Sequence, residues 1–168
     1  STIWGNSNGE RTMNEFENLD SEKKAFGGTT DHNLVYVLLT QEMRDTQIPL
    51  FTVNSKEDEN WARFDEEVTK GEVVFKADTI EELAALIGVP ADKLTATVNA
   101  YNDGITNGND PFGRTDERLS FAKGPFYAVK TCPYVMLTKG GPLMNDQAQV
   151  LNAEGQPIPG LFQCGELE

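Results

Sequence analysis

Thr79-Ile-Glu-Glu-Leu-Ala-Ala-Leu-Ile-Gly88, with Pro90 and then Leu94-Thr-Ala-Thr-Val-Asn-Ala-Tyr-Asn102 behind it, is the stretch that decides the fold. Thr79 and Glu82 have the spacing of a capping box, in which hydroxyl and carboxylate each satisfy an amide that the first helical turn leaves unpaired. Ile80, Leu83, Ala84 and Ile87 recur on one face of the helix predicted here. Gly88 ends it, because glycine accepts the left-handed backbone of a helix terminus. Pro90 sits where a second helix can start, and Leu94, Val98 and Tyr101 give that helix its own apolar stripe, closed by Asn107-Gly108. Two helices with one apolar face each must bury those faces against another layer.

The flanking sequence supplies that layer. Asn33 to Thr40 carries the apolar run Leu-Val-Tyr-Val-Leu-Leu, which predicts a central strand covered on both faces. Residues 2–18 alternate about Asn6-Ser-Asn-Gly9 and predict a hairpin. From Glu57 to Lys70, Trp61, Phe64 and Val68 fall at helical spacing and predict one buried stripe with the acids outward. Asn109 to Arg114 reads as loop, Phe121 to Thr138 as extended chain with Pro125 and Pro133 at its edges or ends, and Gln149-Val-Leu151 as a strand turning at Ala153-Glu-Gly155. Gly160 to Glu166 reads as a strand entering a turn. The class is therefore α+β, a small mixed sheet with packed helices, and no internal repeat is evident.

Composition narrows the function. The 168 residues carry 27 acidic and 14 basic side chains, a net charge of −13, which repels phosphate backbones and anionic membranes. No apolar run reaches membrane length, and no targeting segment is evident within the stretch, so the chain reads as soluble. Cys132 and Cys164 form no CxxC motif, His32 stands alone, and no metal-binding pattern occurs, so no metal is expected. Cys164 is expected to be a buried, inert thiol.

Several segments, in order, carry a resemblance: Gly9-Glu-Arg-Thr-Met-Asn-Glu15, the Thr79 to Asn102 stretch, Asp110-Pro-Phe-Gly-Arg114, Gly124-Pro-Phe-Tyr-Ala-Val129, Thr138-Lys-Gly-Gly141, Ala148-Gln-Val-Leu151, Ile158-Pro-Gly-Leu161 and Cys164-Gly-Glu166. Together they resemble the capping domain of the FAD-dependent fumarate reductase and succinate dehydrogenase flavoprotein family. The resemblance implies a strand or hairpin entering the cap over 1–18, the cap itself over 19–130, and a β-rich return toward the FAD-binding domain over 131–168. It implies FAD in a larger parent protein, with this chain covering the active site and inactive by itself. An electron donor and a small-molecule substrate are then the parent's partners. Thr138, Gly140, Gly141, Gly165 and Glu166 would face the flavin, Glu166 offering its carboxylate to cofactor hydroxyls. The chain contains no GxGxxG pyrophosphate fingerprint, which is therefore expected before residue 1.

Three positions depart from that family. Where it has a proton-donating arginine this chain has Leu19, and where it has paired histidines it has Met136 and Leu137. An apolar pocket would desolvate a dicarboxylate without pairing it, so a neutral or aromatic unsaturated substrate fits better than fumarate. Tyr134, Lys139 and Arg44 are the candidates to supply the proton instead. The competing readings are a parent that has lost catalysis and kept a binding or interaction role, and a stand-alone small-ligand binding protein.

Overall fold

The computed structural model describes residues 2–16, 34–46, 57–132 and 141–164, the first four of helix 57–70 by their backbone alone. The chain divides into two compact units, Ser1–Pro133 and Tyr134–Glu168.

In the first unit, β1 (Ile3–Asn6), β2 (Val35–Thr40), β3 (Val74–Ala77) and β4 (Phe126–Thr131) form one sheet in the order β1-β2-β4-β3. Every pairing is antiparallel, where a mixed sheet was expected. The reason lies in the topology: β2 and β3 run the same way, but β4 enters between them and opposes both. The crossover from β2 to β3 contains α1 (Gln41–Thr46) and α2 (Glu57–Lys70). From β3 the chain continues through α3 (Ile80–Ile87) and α4 (Ala91–Asn107) to β4.

Alternation along the strands sends neighbouring side chains to opposite faces. On one face Tyr127 meets Phe64 of α2 with ring centroids 5.3 Å apart, and Phe64 meets Trp61 at 5.1 Å. On the other, Phe126 stacks on Phe121, which packs edge-on against Tyr101 of α4, and the Tyr36 hydroxyl donates to Ile87 O of α3. Helices thus cover both faces, which is why all six residues of β2 are buried. Residues Phe126 to Val129 of β4 are buried in succession for the same reason. Of the predicted α2 stripe, Phe64 is buried and Trp61 and Val68 are partly so.

The capping box is complete: Thr79 Oγ1 accepts from Glu82 N while Glu82 Oε2 accepts from Thr79 N, and Gly88 ends α3 at φ 73°. Pro90 is the N-cap of α4 and Gly108, at φ 67°, its C-cap.

The second unit holds an antiparallel pair, β5 (Gln149–Leu151) and β6 (Pro157–Phe162). The strand β6 begins at Pro157, ahead of the expected Gly160. Pro157 and Pro159 are tolerated because a two-stranded pair has free edges that need no amide. Cys164, expected to be buried, is exposed, as are all six residues of β6, since a lone pair of strands encloses no core.

Among the described residues one hydrogen-bonded turn occurs four times. In it an Asn or Asp side chain accepts from the amides two and four residues on, while its own carbonyl accepts from the amide three residues on. It occurs at Asn6, Asp110, Asn145 and Asn152. The third residue after the Asx is left-handed each time: Gly9, Gly113, Ala148 and Gly155.

Candidate functional site

The most concentrated chemistry among the described residues is an ion network between the segment after β1 and the loop after α4. Arg11 grips Glu15 with two hydrogen bonds, Nε to Oε1 at 2.8 Å and Nη2 to Oε2 at 2.7 Å, and donates from Nη1 to Asp110 Oδ2 at 2.7 Å. Arg114 Nη1 reaches Glu15 Oε2 at 2.9 Å and Thr2 O at 3.0 Å, while its Nε and Nη2 fork onto Asp116 at 2.6 and 3.0 Å. Arg118 Nη1 lies 3.1 Å from Asp110 Oδ2. The six side chains are between 0% and 14% exposed, and their formal charges cancel, which lets a buried cluster of ions persist.

Local structure places each partner. Asp110 closes its turn with Oδ1 and leaves Oδ2 for the arginines. Gly104 of α4 presents bare backbone beneath it: a Cβ there would lie 3.0 Å from Asp110 Cα and 3.2 Å from Asp110 Oδ2. The Tyr101 ring forms the floor, with the guanidinium carbons of Arg118, Arg11 and Arg114 at 5.0, 5.3 and 6.0 Å from its centroid. Burial drives the Tyr101 hydroxyl pKa up to about 12 against the opposing pull of Arg114 and Arg118. For Asp110 and Asp116 burial also favours the neutral acid. Hydrogen bonds from Arg11 to Asp110 and from Arg114 to Asp116 outweigh it and hold both carboxyls below their ordinary value.

In the sequence Arg11 and Glu15 belong to a matching segment and Asn109 to Arg114 reads as loop, so the network is not visible there. Its available signals were the four-residue spacing of Arg11 and Glu15 and the Asp-Pro-Phe-Gly-Arg turn.

Of the residues singled out from sequence, Arg44 lies in the last turn of α1. Its Nη2 is 2.7 Å from Asp65 Oδ2, and its guanidinium carbon stands 5.0 Å over the Trp61 ring and 5.5 Å from that of Phe64. That arrangement fastens α1 to α2. Gly141 is exposed. Leu19, His32, Tyr134, Met136, Leu137, Thr138, Lys139, Gly140, Gly165 and Glu166 lie outside the described residues.

Comparison with known proteins places this architecture. The chain is 32% identical over 166 residues to an NADH:acrylate oxidoreductase of Vibrio harveyi, covering 98% of this chain and 15% of that protein. It is 38% identical over 94 residues to a vinyl phenol reductase of Lactiplantibacillus plantarum, covering 55% of this chain and 19% of that one. Its fold matches the open conformation of a flavocytochrome c3 fumarate reductase with a TM-score of 0.70 and 26% identity, over 99% of this chain and 27% of that structure. A family model for the FAD binding domain matches residues 1–168, and the chain belongs to this family of flavin-dependent oxidoreductases. The chain thus spans between 15% and 27% of the length of these three proteins.

FAD is the cofactor of that family. Of the residues that the resemblance sets against it, Gly141 is described and is exposed. A groove of about 690 Å³ is bordered by Lys76, Asp78 and Glu82, and one of about 310 Å³ by Arg114, Asp116, Glu117 and Arg118. Among the described residues no His, Cys, Asp and Glu cluster could hold a metal, and no helix is long and apolar enough to cross a membrane.

Proposed function

We propose that this chain is the capping part of an FAD-dependent oxidoreductase that reduces or oxidises a C–C bond of a small substrate other than fumarate. Residues 1–18 lead into the cap, 19–130 form it, and 131–168 return toward the flavin. Bound FAD would supply the hydride chemistry, and the cap's part is to exclude water, shape the pocket and supply a proton.

The observation that carries the substrate reading is the commitment of the arginines. Arg11, Arg114 and Arg118 are buried and paired with Glu15, Asp110 and Asp116, and Arg44 is paired with Asp65. Together with the uncharged Leu19, Met136 and Leu137, this leaves a dicarboxylate no cation among these groups. The relatives named for acrylate and for vinyl phenol are consistent with one scaffold serving different double bonds. Lys139 and Tyr134 are the foremost proton donors of this proposal, with Arg44 behind them because Asp65 already holds it.

The test is steady-state reduction by the full-length protein with a reduced dye as electron donor, comparing fumarate, acrylate and 4-vinylphenol. Bound, reducible flavin and a kcat/KM higher for the neutral alkene than for fumarate are expected. Fumarate turnover at least as efficient would overturn the substrate reading, and a protein without flavin would point to the binding-module alternative. Lys139→Met or Tyr134→Phe should lower kcat by about a hundredfold or more if that residue is the proton donor.

A further inference from the structure

The chain contains two Asn-Gly pairs, and the structure treats them oppositely. In Asn8-Gly9 the Gly9 amide donates to Asn6 O at 2.9 Å, and Gly9 O accepts from Thr97 Oγ1 at 2.8 Å. Gly9 is buried, and a Cβ on it would lie 3.1 Å from Leu94 N, so this turn is pressed against α4. In Asn107-Gly108 both residues are exposed, and nothing lies within 4 Å of the Cβ position of Gly108. The Gly88 amide that ends α3 bonds to Ala84 O, but the Gly108 amide closes no comparable bond at the end of α4.

We propose that Asn107 is a site of spontaneous covalent modification, deamidating through a succinimide while Asn8 is protected by its turn. The Gly108 amide nitrogen, losing its proton to solvent, attacks Cγ of Asn107 and expels ammonia, closing a five-membered imide. Water opens the ring at either carbonyl, leaving Asp or isoaspartate at 107. The sum is amide plus water to carboxylic acid plus ammonia, with no redox partner. Glycine at the attacking position presents no side chain to hinder the approach. The last turn of a helix frays, so Asn107 can leave the helical dihedrals that hold its side chain from the amide. The product places a carboxylate at the negative end of the α4 dipole, four residues from Asp103, and so loosens the turn leading to Asp110.

The experiment incubates the full-length protein, folded, at mildly alkaline pH and follows tryptic peptides by mass spectrometry. Cleavage after Lys93 and Arg114 isolates residues 94–114, and cleavage after Arg11 isolates the Asn8 pair. The exchange of NH2 for OH should appear at Asn107 roughly tenfold faster or more than at Asn8, the factor expected when one or two net hydrogen bonds must first open. In urea the two rates should converge, because only folding separates them. Isoaspartate-specific methylation should label the 94–114 peptide, and Asn107→Ser should abolish that label. Equal or faster conversion of Asn8 in the folded protein, or an undiminished rate ratio in urea, would overturn the proposal.

Discussion

Glu15 is the residue on which most of the buried chemistry converges. Its carboxylate accepts from the Trp4 amide at 3.1 Å, from two nitrogens of Arg11 and from Arg114. Removing one partner of a buried ion pair leaves the other charge desolvated, so Glu15→Ala should cost about 3–5 kcal/mol in chemical denaturation. The same network sets the pH response. Asp110 and Asp116 have folded pKa values below the ordinary 3.8, so they contribute stability that is complete above that value and lost as pH falls through the folded ones. Tyr101 has the opposite sign. Its pKa is raised from 10.0 to about 12, so its contribution is complete below pH 10.0 and lost as pH rises toward 12. Denaturation across both windows should show the two losses, and Tyr101→Phe should remove the alkaline one selectively.

At the scale of elements, the caps and turns do work that hydrophobic patterning cannot. Thr79→Ala removes the side-chain half of the capping box and should destabilise the first unit by about 1 kcal/mol. The four Asx turns differ at their left-handed position, where Ala148 sits at φ 60° and the other three have glycine. A Cβ in that region costs roughly 1–2 kcal/mol. Ala148→Gly should therefore stabilise the β5–β6 unit by about 1 kcal/mol, offset in part by glycine's greater freedom when unfolded. Slower amide exchange at Gln149 and Leu151, with no change in α3, would report it. These turns were only partly legible. Asn-Gly marked the first, and Ala153-Glu-Gly155 marked the last. The turn at Asp110 lies in a stretch read as loop; Asp-Pro-Phe-Gly-Arg signals the turn, but not that the same carboxylate also serves arginines from elsewhere in the chain.

For the whole molecule, a net charge of −13 implies self-repulsion at low ionic strength. Raising salt to physiological levels, where the screening length is about 8 Å, should raise Tm. A gain of about 1 kcal/mol corresponds to about 2–4 °C for a chain of this size. The buried network is too well shielded to weaken in parallel, so Glu15→Ala should show the same salt increment as the unaltered protein. Local pattern determined the helices α2, α3 and α4, the caps of α3 and α4, the central strand β2 and the α+β class, because capping and amphipathic spacing depend on residues within a few turns of one another. The ordered motifs determined the flavoprotein family as well, and the uncharged Leu19, Met136 and Leu137 were visible at once. Tertiary structure alone decided that β4 enters between β2 and β3 and that Arg11, Glu15, Asp110, Arg114, Asp116 and Arg118 form one neutral buried cluster. Those outcomes depend on contacts between residues far apart in the chain, where a charge has the same letter whether it meets water or its partner.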